Sequence, residues 1–424
     1  MPIVQYLGEY HRWCNVFGIM LLMMLLVSIS RNRRMIVWRQ IIRACVLYVG
    51  MAVMLLHSSI GTVGIASLAR GVVTLYQAAD AGIVFLFGNL ADATGPWGFI
   101  FAIRVLPMIL FFGALMNILF VWGIVTRIVL VLNRIIRPIV GTTGPETACA
   151  VANSFLGQTE APLLIRHYLP TMTRSELYVV MGSGMATLSG PALMVYASWG
   201  IPVDHLLISS LLAIPAVIII AKIVEPESER SMHGASEQLD IGDLASGTTL
   251  HAITRGTADG LTLALNVGAM LITFTALVAV SNGILWSLLH VVQYCCSILQ
   301  SECSIPIITL QQIFAWCSMP ILWLLGLRGG DAYIGAELLG VKVIINEMVA
   351  YQSLVHAMVS PRALVIITYL LAGFANISSI GIQVGGIGAL IPERREVLIA
   401  LGWRAVLCGT CANILSAMLV GLLL

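Results

Sequence analysis

Long apolar segments separated by short polar ones extend through the whole chain. A helix needs about 20 predominantly apolar residues to cross a bilayer. Segments near this length, eight in all, are 13–30, 41–59, 106–125, 177–199, 205–221, 260–289, 363–391 and 405–424. They are continuous rather than alternating, which disfavours a transmembrane barrel. The pattern therefore predicts an all-α polytopic membrane protein with eight transmembrane helices.

Two further segments, 139–170 and 327–357, are apolar but interrupted near their middle by polar residues. The interruption ends at Glu160 in the first segment and at Glu347 in the second. Non-helical backbone at membrane depth is tolerated only where it is buried in protein or lines a cavity. Each segment is therefore predicted to be a re-entrant helical hairpin.

The two hairpin segments correspond to each other along the chain. Glu160 and Glu347 are 187 residues apart, and Thr173 and Ser360, potential helix caps, share this offset. Each cap precedes a span broken by small polar residues, over 186–190 and 374–381. The arginine distribution places the ends of the first hairpin inside and those of the second outside. The two re-entrant hairpins are thus expected to form an inverted repeat.

Arginines concentrate in three segments, 31–43, 127–137 and 394–404. Positive residues favour the cytoplasmic side, so both termini are expected outside. The basic amphipathic stretch 128–138 suits an interfacial helix on the inner face. Residues 60–97 are expected at the outer surface, partly as an interfacial helix.

These observations divide the chain into six predicted parts. They are the N-terminal spans and outer-surface segment (1–97), a span with the inner interfacial helix (98–138), the first hairpin with the spans that follow it (139–223), a cytoplasmic loop (224–259), a span with an outer interfacial helix (260–326), and the second hairpin with the spans that follow it (327–424).

Composition supports the membrane class. Apolar residues make up 59% of the 424 residues and charged residues 10%, with mean hydropathy +0.97. A soluble domain carries about 25% charged residues, which argues against a soluble enzyme or a disordered chain. The net charge of +2 implies no polyanionic partner, and no nucleic acid is expected to bind.

The cysteines and histidines suggest no metal centre. The nine cysteines are scattered, and Cys408 and Cys411 lie within an apolar run, where packing is the expected role. Cys295, Cys296 and Cys303 are expected to cluster in a loop, where they could pair. The histidines show no metal-ligand spacing.

The polar residues at the breaks carry the candidate chemistry. A buried carboxylate is costly unless it is paired or hydrogen-bonded. The competing interpretation is a structural ion pair, for example Glu160 with Arg166. The set offers amides, hydroxyls and carboxylates, and comprises Gln158, Thr159, Glu160, Asn346, Glu347, Asn376 and Ser379. Such groups suit a neutral, polyhydroxylated, heteroaromatic ligand. Phe374 and Tyr351 could contact its ring, although ordinary helix packing explains Phe374 equally well.

A cation site would need hard oxygen ligands, including carbonyls freed at helix breaks. Asn153 and Thr187 offer side-chain oxygens, and Leu156 and Leu188 offer carbonyls. A structural N-cap or kink is the competing interpretation of Thr187. Arg104, in the third span, is expected to snorkel to the outer surface.

Several runs resemble the concentrative nucleoside transporter family over about residues 100–424. They are NSFLGQTEAP (153–162), MTRSEL (172–177), ATLSG (186–190), NEMVA (346–350), SPRA (360–363) and GFANISSIGIQ (373–383). The resemblance implies a homotrimer whose protomers transport separately, and the bacterial type of the family implies a bacterial inner (plasma) membrane. It also implies a scaffold around the third and sixth spans and a mobile transport domain holding both hairpins.

The resemblance also implies a role for individual residues. Nucleobase contacts fall on Gln158, Thr159 and Glu160, with Ala192 as an apolar base-facing position. Ribose contacts fall on Glu347, Asn376 and Ser379, and Phe374 matches an aromatic beside the ligand. The sodium site falls on Asn153, Leu156, Thr187 and Leu188.

The expected function is sodium-coupled import of nucleosides by elevator-type alternating access, without catalysis. Sodium is favoured because similar members that use protons lack the asparagine found here as Asn153. The alternatives are a proton-coupled nucleoside symporter, an intramembrane enzyme using Glu160 and Glu347 as acid and base, and a channel. The preference for purine or pyrimidine stays open.

Overall fold

The computed structural model describes residues 9–92, 95–98, 100–229, 231–232, 248–298 and 308–424. Within these ranges the regular structure is helical throughout, as the hydrophobic pattern predicts. The α-helices, in chain order α1 to α17, are Arg12–Ser28, Trp38–His57, Ser59–Phe87, Phe101–Arg104, Leu106–Val121, Ile124–Val140, Gly144–Asn153, Arg174–Ala186, Gly190–Ser198, Val203–Val224, Thr249–Ile298, Leu310–Leu324, Gly329–Ile344, Glu347–Val355, Pro361–Leu371, Ile377–Leu390 and Arg395–Leu423.

Seven helical segments of the described chain are long and apolar enough to cross a membrane. They are Trp38–His57, Ser59–Ala91, Phe101–Val121, Arg174–Ser198, Val203–Val224, Thr249–Val291 and Pro392–Leu423. Two of the eight expected spans are missing from this set. Helix α1 is shorter, with 17 residues, and the expected span 363–391 is divided into α15 and α16.

The segment 60–97, expected partly as an interfacial helix, is helical over most of its described length. Its main helix, α3, has 29 residues and is long and apolar enough to suit a span as well. The turn before it is tight because Gly61 has no side chain: a Cβ there would lie 2.1 Å from the Met54 carbonyl oxygen. Arg104, expected to snorkel, instead forms an ion pair with Asp80 of α3. This pair neutralises both charges between neighbouring helices.

The basic stretch 128–138 lies within α6, an amphipathic helix, as predicted. Its buried face repeats at helical spacing and includes Val125, Val129, Ile136 and Val140. A helix with one apolar stripe packs that stripe inward and leaves its charged face outside.

Helix α11 begins at Thr249, well before the expected start at 260, and continues for 50 residues. No proline interrupts this stretch. The helix therefore includes the end of the predicted cytoplasmic loop (224–259) and part of the segment in which a cysteine loop was predicted. Cys295 and Cys296 therefore lie in a helix rather than in a loop. Cys303 lies outside the described residues.

Helices α5 and α11 pack closely because glycines meet at their crossing. A Cβ on Gly113 would lie 2.5 Å from the Gly256 carbonyl oxygen. One turn after Gly256, a Cβ on Gly260 would lie 2.8 Å from the Leu110 Cα. Small residues four apart allow such backbone contact between membrane helices. The pair is joined to the rest of the protein partly through a cluster that includes Phe112 of α5 and Met194 of α9.

The main core surrounds α10, most of whose residues are buried. Helices α8, α15 and α17 pack against it, and α17 also packs against α8 and α15. A helix that is apolar on all sides is typical of such a central position. This core carries the helix breaks at which the candidate site residues lie.

Polar contacts show which segments share an end of the molecule. Arg31 and Arg404 both pair with Glu225, at 2.6 and 2.7 Å, and Gln40 donates to the Gly141 carbonyl at 3.2 Å. All three arginine-rich segments are thus at one end. At the other end, Arg12 donates to the Leu424 carbonyl at 2.7 Å.

Candidate functional site

Four helices stop inside the protein at the predicted breaks. Helix α7 ends at Asn153 and α8 ends at Ala186, while α13 ends at Ile344 and α15 ends at Leu371. The next helices in the second half begin with side-chain caps. Asn346 accepts from the Val349 amide at 2.9 Å, and Asn376 accepts from the Ser379 amide at 2.8 Å. Asparagine is a strong N-cap because its side-chain oxygen accepts from a free amide of the first turn.

A buried polar cluster joins the two predicted hairpin segments. Glu347 accepts from the Tyr196 hydroxyl at 3.0 Å and from the Asn376 amide at 3.2 Å. Gln158 donates to the Ser379 hydroxyl at 3.3 Å. The polar residues Gln158, Glu347, Asn376 and Ser379 are all buried. Because Asn376 also caps the helix that carries Ser379, the cluster is held by backbone as well as side chains.

Two amide oxygens near this cluster have no hydrogen-bond partner among the described residues. They are the side-chain oxygens of Gln158 and Gln383, both buried. A Cβ on Gly184 would touch both side chains, so the two glutamines are neighbours. An unsatisfied buried acceptor costs about 1–3 kcal/mol. Both oxygens are therefore suited to accept from a donor that enters the site.

Glu160, another predicted site residue, lies apart from this cluster. Glu160 is exposed and accepts from the Gly157 amide at 3.3 Å, whereas a buried carboxylate was expected. Its expected alternative partner, Arg166, donates instead to His167 at 3.3 Å. Glu160 follows the break on a short turn, so its side chain reaches the surface.

Three further predicted site residues, Thr159, Ala192 and Phe374, are described by their packing. Thr159 packs against α16, where a Cβ on Gly386 would lie 2.7 Å from its methyl group. Ala192 is buried, and Phe374 is half-buried against the main core. The other aromatic candidate, Tyr351, is fully buried, so it packs rather than lining an open surface.

The candidate cation ligands come together at the breaks that follow α7 and α8. The Asn153 amide donates to the Ser183 hydroxyl at 2.9 Å, while its oxygen has no partner among the described residues. The Thr187 hydroxyl donates to the Ser183 carbonyl at 2.8 Å. Thr187 is the C-cap of α8, in extended conformation, and the N-cap of the next helix is Ser189.

Backbone contacts hold the two breaks together. The Gly190 amide donates to the Phe155 carbonyl at 3.2 Å. Leu156 and Leu188 lie beside this contact, outside the helices, and both are buried. Neutral oxygens of this kind fit a hard monovalent cation better than a transition metal. No cluster of three or more histidine, cysteine or acidic residues is found in the part of the chain that the structure describes.

Sequence reasoning missed three buried polar residues that connect these breaks. They are Tyr196, which bonds Glu347, and the pair Lys342 and Asn413, which bond each other at 2.7 Å. A lysine within an apolar run is itself a signal, since such residues are costly in a membrane. Tyr196 carries no comparable signal, because tyrosine is common in packed helices.

Comparisons with known proteins agree over nearly the whole chain. Family models described as Na+ dependent nucleoside transporter N-terminus, nucleoside recognition, and Na+ dependent nucleoside transporter C-terminus match residues 17–90, 102–202 and 205–421. The chain is 34% identical to nucleoside permease NupC of Helicobacter pylori, covering 96% of this chain and 97% of that protein. It is 32% identical to sodium/nucleoside cotransporter 1 of Sus scrofa, covering 96% and 63%.

A solved structure gives the same result for the fold. CNTnw in an inward-facing substrate-bound state superposes with a TM-score of 0.88 at 33% identity, covering 97% of each chain. The helical architecture, the buried polar cluster at the breaks and the family matches lead to one assignment. The chain belongs to the Na+ dependent nucleoside transporter family, a family of integral membrane transporters.

Proposed function

We propose that this protein imports nucleosides by sodium-coupled secondary active transport. The observation that carries the proposal is the buried cluster in which Gln158 meets Ser379 and Asn376 meets Glu347. It joins polar groups from both predicted hairpins around acceptors that lack internal partners. The names of its relatives, a nucleoside permease and a sodium/nucleoside cotransporter, supply the ligand and the ion.

The nucleoside would divide its contacts between the two halves of the repeat, each made of a predicted hairpin and the broken span that follows it. Gln158, Thr159 and Glu160 would bind the base, with Ala192 and Phe374 on its apolar faces. The unpaired oxygen of Gln158 supports this role, because nucleobases offer N–H donors. Glu347, Asn376 and Ser379 would bind the ribose. A carboxylate that already accepts two hydrogen bonds is held in place for a third, from a sugar hydroxyl.

Sodium would bind the side-chain oxygens of Asn153 and Thr187 and the carbonyls of Leu156 and Leu188. The unpartnered Asn153 oxygen supports this assignment, since a cation would satisfy it. A bound sodium would also draw the break after α7 toward the break after α8. Gln158 lies just beyond the first of these breaks, so ion binding would order a nucleobase contact.

The proposed architecture has eight transmembrane helices and two re-entrant hairpins in an inverted repeat. The hairpins would be α7 with residues 154–165, and α13 with α14. The α5–α11 pair would belong to the scaffold of a homotrimer, and the main core to a transport domain that moves as an elevator. CNTnw is known in inward- and outward-facing states, which is consistent with such movement. The arginine-rich end would face the cytoplasm of a bacterium, with both termini outside.

The test is uptake of radiolabelled uridine and adenosine into proteoliposomes under a sodium gradient, a proton gradient or no gradient. Uptake driven by sodium alone is the expected result. Uptake driven by protons would keep the substrate and overturn the ion. Absence of uptake by folded protein would overturn the substrate class.

Asn153→Ser tests the ion site directly. The shorter side chain should withdraw an oxygen ligand, raising the sodium concentration for half-maximal uptake at least tenfold with unchanged uridine-to-adenosine preference. Asn117→Ser is the matched control, because Asn117 only donates to Gly113 of its own helix, at 3.1 Å. Wild-type sodium dependence in Asn153→Ser would remove this residue from the site.

A further inference from the structure

A lysine without a carboxylate partner among the described residues lies in the middle of the buried core. Lys342, in the last turn of α13, has 0% exposure. Its ammonium donates to the Leu370 carbonyl at 3.0 Å and to the Asn413 side-chain oxygen at 2.7 Å. A buried ammonium is costly unless its environment supplies strong acceptors.

One acceptor of Lys342, the Leu370 carbonyl, belongs to the place where helix α15 stops. The other, the Asn413 oxygen, comes from α17 and lies beside Gly373 in the same break. Leu370 lies in the last turn of α15, whose carbonyls have no amide of a following turn to accept from. The same end carries the negative pole of the helix dipole, which favours a cation. Lys342 therefore supplies a positive charge to a carbonyl end that the break leaves unsatisfied.

Asn413 extends this contact to the other broken span. Its amide nitrogen donates to the Ala186 carbonyl at 2.9 Å, at the end of α8. Gly373, in the break after α15, lies against the same carbonyl: a Cβ there would be 2.6 Å from the Ala186 oxygen. The ends of α8 and α15 thus converge, and Lys342 and Asn413 link them.

The contacts of Lys342 parallel those of the proposed sodium ligand Asn153. Each residue lies at the end of the helix before a predicted hairpin tip. Each reaches the last turns of the broken span that follows, Asn153 at Ser183 and Lys342 at Leu370. Ser183 and Leu370 are separated by 187 residues, the offset of the predicted repeat, and Lys342 lies two residues beyond the position that corresponds to Asn153.

We propose that the Lys342 ammonium is a tethered cation at the second break, equivalent in position to the sodium ion at the first. The inference rests on the proposed function, because it assumes a sodium site at Asn153. The second break then needs no ion from solution. Through Asn413 and Ala186 the tethered charge also positions the backbone next to Thr187, so it helps to set sodium affinity.

The first experiment tests the proposed cation site in the absence of nucleoside. In Lys342→Ala, the removed ammonium leaves two acceptors that a soluble ammonium ion can satisfy. Ammonium chloride should raise the apparent melting temperature of purified full-length Lys342→Ala more than that of the wild type. Choline chloride at equal concentration, whose cation is too large, should not. An equal ammonium effect on both proteins would overturn the tethered-cation role.

The second experiment reads the coupling to sodium, and Asn413→Ala serves if Lys342→Ala does not fold. Asn413→Ala keeps the lysine but removes the link to Ala186. We expect the sodium concentration for half-maximal uridine binding to rise at least fivefold. Lys222→Ala is the control, because this second buried lysine pairs with Glu146 at 2.7 Å, away from the link. Wild-type sodium dependence in Asn413→Ala would overturn the coupling.

The two experiments separate this inference from the proposed function. If the wild type binds uridine without any sodium dependence, the sodium assignment fails. The ammonium effect on Lys342→Ala then still decides whether Lys342 occupies a cation site.

Discussion

At the residue scale, the site depends on polar side chains that hold one another. Glu347 accepts from Tyr196 and Asn376, and Asn376 in turn caps the helix that carries Ser379. Satisfied buried networks of this kind fix the geometry of each member. Tyr196 also stacks on Tyr351, with ring centroids 4.3 Å apart. The carboxylate is therefore positioned by aromatic packing as well as by hydrogen bonds.

Tyr196→Phe should weaken nucleoside binding without changing the charge of the site. Removing one hydrogen bond to a charged group costs about 1.5–3 kcal/mol. The KM for uridine and for adenosine should rise about tenfold together, because Glu347 is assigned to the ribose they share. Kinetics of sodium-driven uptake would measure this.

Tyr178→Phe is the control for that measurement. Tyr178 is also buried, and its hydroxyl donates to the Arg404 carbonyl at 2.8 Å, at a distance from the cluster. It should lower stability and leave KM unchanged. A change in KM for only one nucleoside in Tyr196→Phe would contradict the ribose assignment of Glu347.

At the element scale, the helix breaks, rather than the continuous helices, determine the geometry of the site. Helices α8 and α15 stop inside the protein, and their ends contact each other at Gly373 and Ala186. Gly373 has φ of +134°, a region that residues with a side chain rarely adopt. The close approach and the backbone conformation both require glycine there.

Gly373→Ala should strongly destabilise the protein and abolish transport. Backbone strain and overpacking each cost about 1–3 kcal/mol. Thermal unfolding of the purified protein, followed in detergent, measures the loss. Gly385→Ala is the matched control in α16, where nothing lies within 4 Å of the added Cβ, and it should be neutral or slightly stabilising. Equal stability of the two variants would refute the strain argument.

At the scale of the whole molecule, one buried carboxylate joins distant parts of the chain. Glu225 is 1% exposed and pairs with Arg31, Arg174 and Arg404 at 2.6, 3.0 and 2.7 Å. These arginines come from the loop after α1, the start of α8 and helix α17. The network therefore fixes how the first helix packs on the core.

Glu225→Gln should lower the apparent melting temperature while leaving the KM for nucleosides unchanged. Breaking a fully buried pair costs about 3–5 kcal/mol, and partial exposure of the arginines should reduce this to about 2 kcal/mol. Thermal scans and uptake assays on the same preparation provide the comparison. Glu393→Gln, at an exposed position, is the control and should behave as the wild type. A change in KM with unchanged stability would place Glu225 in the transport cycle instead.

The sequence by itself determined the class of the protein and the positions of the helix breaks. Long apolar runs are stable only in lipid or in a protein core. Where a polar interruption breaks the helix inside such a run, the backbone groups that it frees must find hydrogen-bond partners. Local pattern is enough to find both features. The short runs around Glu160, Thr187, Glu347 and Asn376 also sufficed to place the chain in its family, which the comparisons confirm.

Only the tertiary structure decided which polar groups meet. Glu160 and Glu347 look alike in sequence, yet one lies at the surface and the other is buried. Lys342, Asn413 and Ala186 are far apart in the chain and join only because two broken helices end side by side. Such contacts depend on the packing of whole helices, and hydrophobic periodicity specifies which face is buried but not which partner it finds.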